Sequence, residues 1–168
     1  MSVAALDYGF PWDTLLQQFK FSRRIELVDA LLDRLDAALD LARPPAPDWL
    51  LPVPLARERL AQRGYNQSWE LVRRLARRRA LRCDAKLLLR TRNTPHQTDL
   101  PAKQRAANMR GAFALEPLRL HAVQGCHVAL LDDVMTTGAT LQELARVLKK
   151  AGALHVQAWV VARTPNRP

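Results

Sequence analysis

Two neighbouring carboxylates, Asp132 and Asp133, separate an apolar run, Val128-Ala129-Leu130-Leu131, from the small-residue stretch Val134-Met135-Thr136-Thr137-Gly138-Ala139-Thr140. Adjacent acids accept hydrogen bonds from neighbouring hydroxyls of a ribose. A turn whose backbone N–H groups open a helix cradles a phosphate. One short segment therefore offers both contacts that a phosphorylated sugar needs. Fixed negative charge aimed at a carbon that becomes an oxocarbenium also stabilises a transition state more than a ground state.

The elements on either side must hold these groups in place. The apolar run suits a parallel strand buried on both faces, with the acids at its carboxyl end, where open α/β sheets bind ligands. Beyond the turn, Leu141, Leu144, Ala145 and Leu148 recur at helical spacing. Simpler roles compete for the same residues. Thr140-Leu141-Gln142-Glu143 fits a capping box, and Thr136 or Thr137 can be plain N-caps. The apolar-strand-plus-acids pattern also occurs in P-loop proteins, but these need a Gly-Lys pair and the chain has none. A Gly-x-Gly-x-x-Gly loop is absent too.

The segment resembles the phosphoribosyl-diphosphate motif of the type I phosphoribosyltransferases, matching it without a gap. Further stretches narrow the resemblance. Leu51-Pro52-Val53-Pro54 with Arg63-Gly64-Tyr65-Asn66-Gln67, the spacing Arg90-x-Arg92-x-Thr94-x-x-Gln97-x-x-Leu100, Arg105-x-x-Asn108, Ala112-Phe113 and Lys20-Phe21 are similar to the ComF (GntX) branch of that fold. The similarity runs from about residue 8 to residue 162. It implies that Asp132 and Asp133 hold the ribose hydroxyls near the anomeric carbon, while residues 134–140 bind the 5-phosphate. It implies diphosphate contacts at Pro54 and Arg63, and a closing loop at residues 90–110 whose Lys103 and Arg105 reach the leaving group. Mg²⁺ is implied as cofactor, carried by ligand oxygens and waters, with Asp132 and Asp133 as the protein groups nearest to it. Many relatives begin with paired Cys-x-x-Cys motifs, which this sequence lacks, so zinc is not carried over.

Composition sets the remaining bounds. A chain of 168 residues is long enough for one domain with a real core. Charges or prolines interrupt every apolar run well short of a membrane span, and residues 1–10 have no secretory pattern; a cytoplasmic protein is expected. Cys83 and Cys126 make neither a metal spacing nor a disulfide framework. The 26 basic against 16 acidic residues give a net charge of +10, which raises a nucleic-acid role. Much of the excess falls at Arg73, Arg74, Arg77, Arg78, Arg79 and Arg82, on one face and the tail of a single helix, and a solvated basic helix explains it equally well.

Along the chain, Trp12, Leu15, Leu16 and Phe19 predict a short amphipathic helix. Ser22 is placed to cap a longer one over residues 24–41, burying Val28, Leu31, Leu32, Leu35 and Leu39 and showing Asp29, Asp33, Asp36 and Asp40 to water. The prolines at 44, 45 and 47 stop it. Residues 49–53 read as the first core strand, residues 54–64 as polar loop, and Asn66-Gln67-Ser68 as caps of the arginine-rich helix. Strands follow at 86–89, 112–115, 128–131 and 155–161. The expected fold is a doubly wound, mainly parallel α/β sheet of the type I phosphoribosyltransferase kind. An N-terminal helical cap segment, residues 1–47, packs on a core of residues 48–168 to make one compact domain.

Two functional classes fit. One is a Mg²⁺-dependent phosphoribosyltransferase linked to DNA uptake and competence, with phosphoribosyl diphosphate as ligand and an acceptor that no segment names. The other is a non-catalytic module that keeps the sugar-diphosphate pocket while its basic face, with Tyr65, Trp69 and Trp49 as stacking surfaces, handles single-stranded DNA or competence proteins. A purely structural role fits poorly with an intact ligand motif.

Overall fold

The computed structural model describes residues 1–22, 24–92 and 109–165. Its centre is a four-stranded parallel sheet in the order β1-β6-β5-β2, from β1 (Ser2–Asp7), β2 (Trp49–Pro52), β5 (His127–Met135) and β6 (His155–Arg163). Val128, Ala129, Leu130 and Leu131 are all essentially inaccessible. This is what a strand covered by helices on both faces requires. Ala129 and Leu131 pack into a cluster with Leu16, Leu31, Leu35, Leu71 and Leu75. These come from helices α1 (Trp12–Phe21), α2 (Leu27–Ala42) and α4 (Gln67–Arg78). Val128 and Leu130 face the opposite cluster, with Leu141, Leu144 and Leu148 of α5 (Ala139–Lys150). Period-2 alternation along β5 thus feeds two separate cores.

The first strand is the main departure from expectation. Residues 1–47 are not purely helical, because β1 pairs in parallel with β6, Val3 lying opposite Trp159. The segment completes the sheet edge instead of only capping it. Its short, mixed Ser-Val-Ala-Ala-Leu-Asp run has neither the length nor the β-branched content that marks a strand. Ser22 ends α1 and does not start α2, whose N-cap position is Glu26. Residues 57–63, read as loop, form helix α3 (Arg57–Arg63), which buries no residue and so has no apolar period to detect. The expected strands at 86–89 and 112–115 are present as β3 (Leu88–Arg90) and β4 (Phe113–Leu115), but they make a separate antiparallel ribbon beside the main sheet.

The arginine-rich helix behaves as expected on its inner side, where Leu71, Val72, Leu75 and Ala76 are buried. Its outer side is not a free cationic surface. Arg78 bridges Asp29, Asp33 and Asp36 at 2.9, 2.9 and 3.1 Å. Arg74 reaches Asp29 at 2.8 Å, while Arg79 holds Asp36 at 2.7 Å and Asp40 at 2.8 Å. The aspartates read as a solvated face of α2 and three of the arginines read as a nucleic-acid face of α4, Arg74, Arg78 and Arg79, are two halves of one ion-pair ladder. Its members share partners, so it acts as a network and not as isolated pairs. We expect Arg78→Gln to lower the unfolding free energy by about 1 kcal/mol, the upper range for exposed pairs, in urea titrations followed by circular dichroism. The loss should shrink in 1 M salt. Arg77→Gln, at an exposed position with no ion pair among the described residues, should leave the midpoint unchanged.

Candidate functional site

The ends of β2 and β5 open into a crevice because the chain leaves them toward opposite faces: α4 covers one side of the sheet and α5 the other. Such a switch point leaves a groove at the carboxyl ends of parallel strands. A cavity of about 310 Å³ lies there, lined by Tyr8, Lys20, Pro54, Arg59, Arg63, Gln67, Ser68, Arg90, Asp132, Asp133, Thr136 and Thr140 among others. Eight elements or their adjoining turns, distant in sequence, contribute to one wall or another.

The acids form the floor. Asp133 is 4% exposed, and its Oδ1 accepts hydrogen bonds from the Val134 N–H at 2.7 Å and an ion pair from Lys20 Nζ at 3.2 Å. Its Oδ2 is buried and has no donor among the described residues. Asp132 is half-buried, its Oδ1 accepting from Ser68 Oγ at 2.9 Å and from the Asp133 N–H at 2.9 Å. Burial, followed by the charge of Asp133 beside it, pushes the Asp132 carboxyl up to about 7, against the pull of Lys20 and the Ser68 hydroxyl. Two adjacent carboxylates in so little water resist ionising together.

Beyond the acids, Gly138 adopts φ +75° at the start of α5, a left-handed conformation that a Cβ would strain. No side chain caps the helix from that position. The capping-box reading of residues 140–143 is therefore overturned: Glu143 turns away, accepting from the Gly111 N–H at 2.8 Å and pairing with Arg146 at 2.7 Å. Thr137 makes only a long contact of 3.5 Å from the Ala139 N–H, and Thr136 and Thr137 are exposed. Asp132, Val134, Met135, Thr136, Gly138, Ala139, Thr140 and Leu141 enclose a small cup of about 60 Å³ at this helix start. The start of α5 thus opens on this cup, and a helix N-terminus favours an anion there.

The facing wall is cationic. Arg59 and Arg63 come from α3, and Arg90 ends β3. Burial, then Arg63, pulls Arg59 below the usual guanidinium value. Burial and then Arg59 do the same to Arg90. Aromatic rings hold two of the guanidiniums in place: Arg63 stacks 4.9 Å from the Phe21 centroid and Arg90 5.5 Å from that of Phe113.

Of the residues singled out from sequence, Pro54, Arg63, Asp132, Asp133, Val134, Thr136 and Thr140 meet at the main cavity, and Met135, Gly138 and Ala139 at the adjoining cup. Lys103, Arg105 and most of the expected closing loop lie outside the described residues. Asn66 is an N-cap, accepting from the Ser68 and Trp69 N–H groups while its Nδ2 donates to the Val53 carbonyl. The aromatic residues named as stacking surfaces are otherwise engaged. Trp49 is 8% exposed and donates to the Ala122 carbonyl, Tyr65 donates to the Phe19 carbonyl, and Trp69 packs on the core. Sequence reasoning gave no role to Lys20 or Ser68 at the acids, whereas Arg59 is one of the basic residues leading to Arg63 that the resemblance pointed to. The Lys20-Phe21 pair was visible as a family feature, but only the fold brings α1 to the end of β5.

With this geometry in place, comparison with known proteins is decisive. Residues 72–168 match the phosphoribosyl transferase domain. The chain belongs to that family, in its ComF branch. It is 40% identical over 96% of its length to the DNA utilization protein YhgH of Escherichia coli strain K12, covering 71% of that protein. It is 36% identical to Competence protein F of Haemophilus influenzae, over 93% of this chain and 69% of the relative. Adenine phosphoribosyltransferase from Leishmania donovani superposes with a TM-score of 0.50 at 16% identity, covering 94% of this chain and 70% of that one, a likeness of fold alone. No helix among the described residues is long and apolar enough to cross a membrane.

A raised carboxyl carries a stability consequence. Between its ordinary value of 3.8 and about 7, Asp132 binds more proton in the folded state than in the unfolded one. Stability from this group is therefore fully present below pH 4 and lost as the pH climbs through 7. Asp132→Asn removes the penalty, so the variant should melt several degrees above wild type at pH 8. The gap should close toward pH 4 in scanning calorimetry. A gap that is constant with pH would show that Asp132 is ionised at little cost.

Proposed function

We propose that the crevice binds phosphoribosyl diphosphate together with Mg²⁺, and that the protein is a phosphoribosyltransferase linked to DNA uptake. One observation carries this reading: carboxylates, an uncapped helix start and three partly buried arginines surround one cavity of about 310 Å³. A sugar with a phosphate at one end and a diphosphate at the other presents complementary groups to all three. Its ribose hydroxyls donate to Asp132 and Asp133, where Asp133 Oδ2 lacks a donor. Its 5-phosphate accepts from the N–H groups at the start of α5, where residues 134–140 form the cup. Its diphosphate meets Arg59, Arg63 and Arg90, and guanidinium forks match phosphate oxygens well. Lys103 and Arg105 remain proposed contacts to the leaving group from outside the described residues.

The cation fits this arrangement through the ligand. Among the described residues, Asp132 and Asp133 are the only acids lining the cavity, and Lys20 already neutralises part of their charge. No group of three His, Cys, Asp or Glu residues among the described residues makes a protein cage. Mg²⁺ tolerates this, because it keeps several waters and takes phosphate oxygens as ligands; once bound it would neutralise the departing diphosphate. The chain's own task is to place the anomeric carbon beside the two acids, so that positive charge appearing there meets fixed negative charge. A nucleophile then bonds to that carbon as the bond to diphosphate breaks.

The relatives' names support the DNA-uptake setting, and the free thiols Cys83 and Cys126 suit the reducing cytoplasm. The binding-module reading is weakened, since Arg74, Arg78 and Arg79, three of the six arginines assigned to that face, are committed to the ladder with α2.

Calorimetric titration with phosphoribosyl diphosphate and Mg²⁺ tests the pocket. Asp132→Asn combined with Asp133→Asn should weaken binding at least tenfold, because each hydrogen bond to a charged group contributes about 1.5–3 kcal/mol. Wild-type affinity should fall as the pH drops from 8 to 6, as Asp132 takes up its proton. A folded double variant with unchanged affinity would reject the assignment. Release of diphosphate across a panel of nitrogenous acceptors then tests turnover.

A further inference from the structure

Two carboxylates side by side at the end of a buried strand need a counter-charge, and the structure supplies it from an unexpected element. Lys20 lies in the last turn of α1, more than a hundred residues before the acids in sequence, yet its ammonium sits 3.2 Å from Asp133 Oδ1. Its side chain is 21% exposed and that of Asp133 5%. The groups facing the pair elsewhere do not substitute for it. Ser68 on α4 donates a neutral hydroxyl to Asp132 only. Arg59 and Arg63 on α3 and Arg90 on β3 line the same cavity; the charge of Arg90 acts on Asp132, whereas the ion pair to Asp133 comes from Lys20. Tyr8, following β1, adds a phenol to the lining.

We propose that Lys20 is a positioning residue for this site: from α1 its ammonium fixes the orientation of Asp133 and offsets the charge of the acid pair, so that the carboxylate is preset to accept a ribose hydroxyl. This role rests on the sugar-diphosphate reading above and assigns a function to the N-terminal segment that the phosphate-binding motif does not contain. The contact uses one carboxylate oxygen, leaving Oδ2 without a donor. A neutral residue at position 20 would leave Asp132 and Asp133 facing each other with only hydroxyl and N–H donors. The pair would then hold a proton to higher pH, and a protonated carboxyl is a poorer acceptor. Arginine in the same place would preserve the charge.

The test uses the full chain with ¹³C-labelled aspartate carboxyls. Signals of Asp132 and Asp133, assigned with Asp132→Asn and Asp133→Asn, are followed from pH 4 to 9 in wild type, Lys20→Met and Lys20→Arg. Lys20→Met should move the upper midpoint of the pair to higher pH by at least half a unit, and Lys20→Arg should keep it at the wild-type value. In parallel calorimetry with phosphoribosyl diphosphate and Mg²⁺, Lys20→Met should lose at least tenfold in affinity at pH 6.5 and recover part of it at pH 8.5, while Lys20→Arg stays within threefold of wild type. A merely structural loss would be equal at both pH values and would not be rescued by arginine. An unmoved carboxyl midpoint in Lys20→Met overturns the role of Lys20 even if the ligand binds. A wild type that binds no sugar diphosphate overturns the pocket reading instead, while the carboxyl titration still decides whether Lys20 governs Asp133.

Discussion

The fold is organised around an electrostatic conflict at the end of one strand. β5 must be apolar enough to be buried between two helical layers, yet it ends in two consecutive carboxylates that the same burial desolvates. Burying charge is expensive unless it is paired. The neighbours of β5 therefore arrive at its end carrying donors: α4 brings Ser68, α1 brings Lys20, and the backbone of β5 folds its own N–H groups back onto the acids. Even so, the Asp132 carboxyl stays far above its ordinary range.

That constraint explains why the N-terminal segment cannot be a detachable cap. β1 completes the sheet beside β6, α2 seals the face above it, and the ladder of Asp29, Asp33, Asp36 and Asp40 with Arg74, Arg78 and Arg79 ties α2 to α4. Because α4 carries Ser68 in its first turn and α1 carries Lys20 in its last, the two side chains among the described residues that donate to the acid pair are held by the same helical layer. Packing on that face and geometry at the site are one problem.

What the sequence disclosed, and what it withheld, follows from the range of the interactions concerned. The β5 motif was legible because its signal is local: a buried run, two acids and a helix-opening turn occupy thirteen consecutive residues. Long amphipathic helices such as α2 were legible for the same reason, and Asn66 announced the start of α4 by its type. β1 was missed because an edge strand in a parallel sheet is specified by its partner, β6, at the far end of the chain. α3 was missed because it buries nothing, and periodicity reports burial only. The capping box at residues 140–143 failed differently: Glu143 fitted the local pattern, but Gly111 and Arg146 offered it better partners than the helix start did. Lys20 illustrates the general limit. A lysine in the last turn of a helix reads as a favourable charge for the helix dipole, and nothing within α1 says that an acid lies 3.2 Å away.

The net charge shows how far composition can be read. An excess of +10 invites a nucleic-acid surface, but charge acts where it is placed. Arg74, Arg78 and Arg79 are spent on α2, so the cluster that made the sequence look like a nucleic-acid binder contributes chiefly to holding two helices together. Arg59, Arg63 and Arg90 instead converge on the crevice, where burial and mutual repulsion depress two of them. Like charges gathered in a partly dry groove repel one another, and an anion of several charges would relieve that repulsion. The carboxylates a few residues away impose the opposite requirement, for neutral donors or cations. A ligand with hydroxyls at one place and phosphate oxygens on both sides would satisfy the two demands together, and this pairing of opposed electrostatic needs is why the proposed occupant is a sugar diphosphate and not a simple anion or a simple sugar.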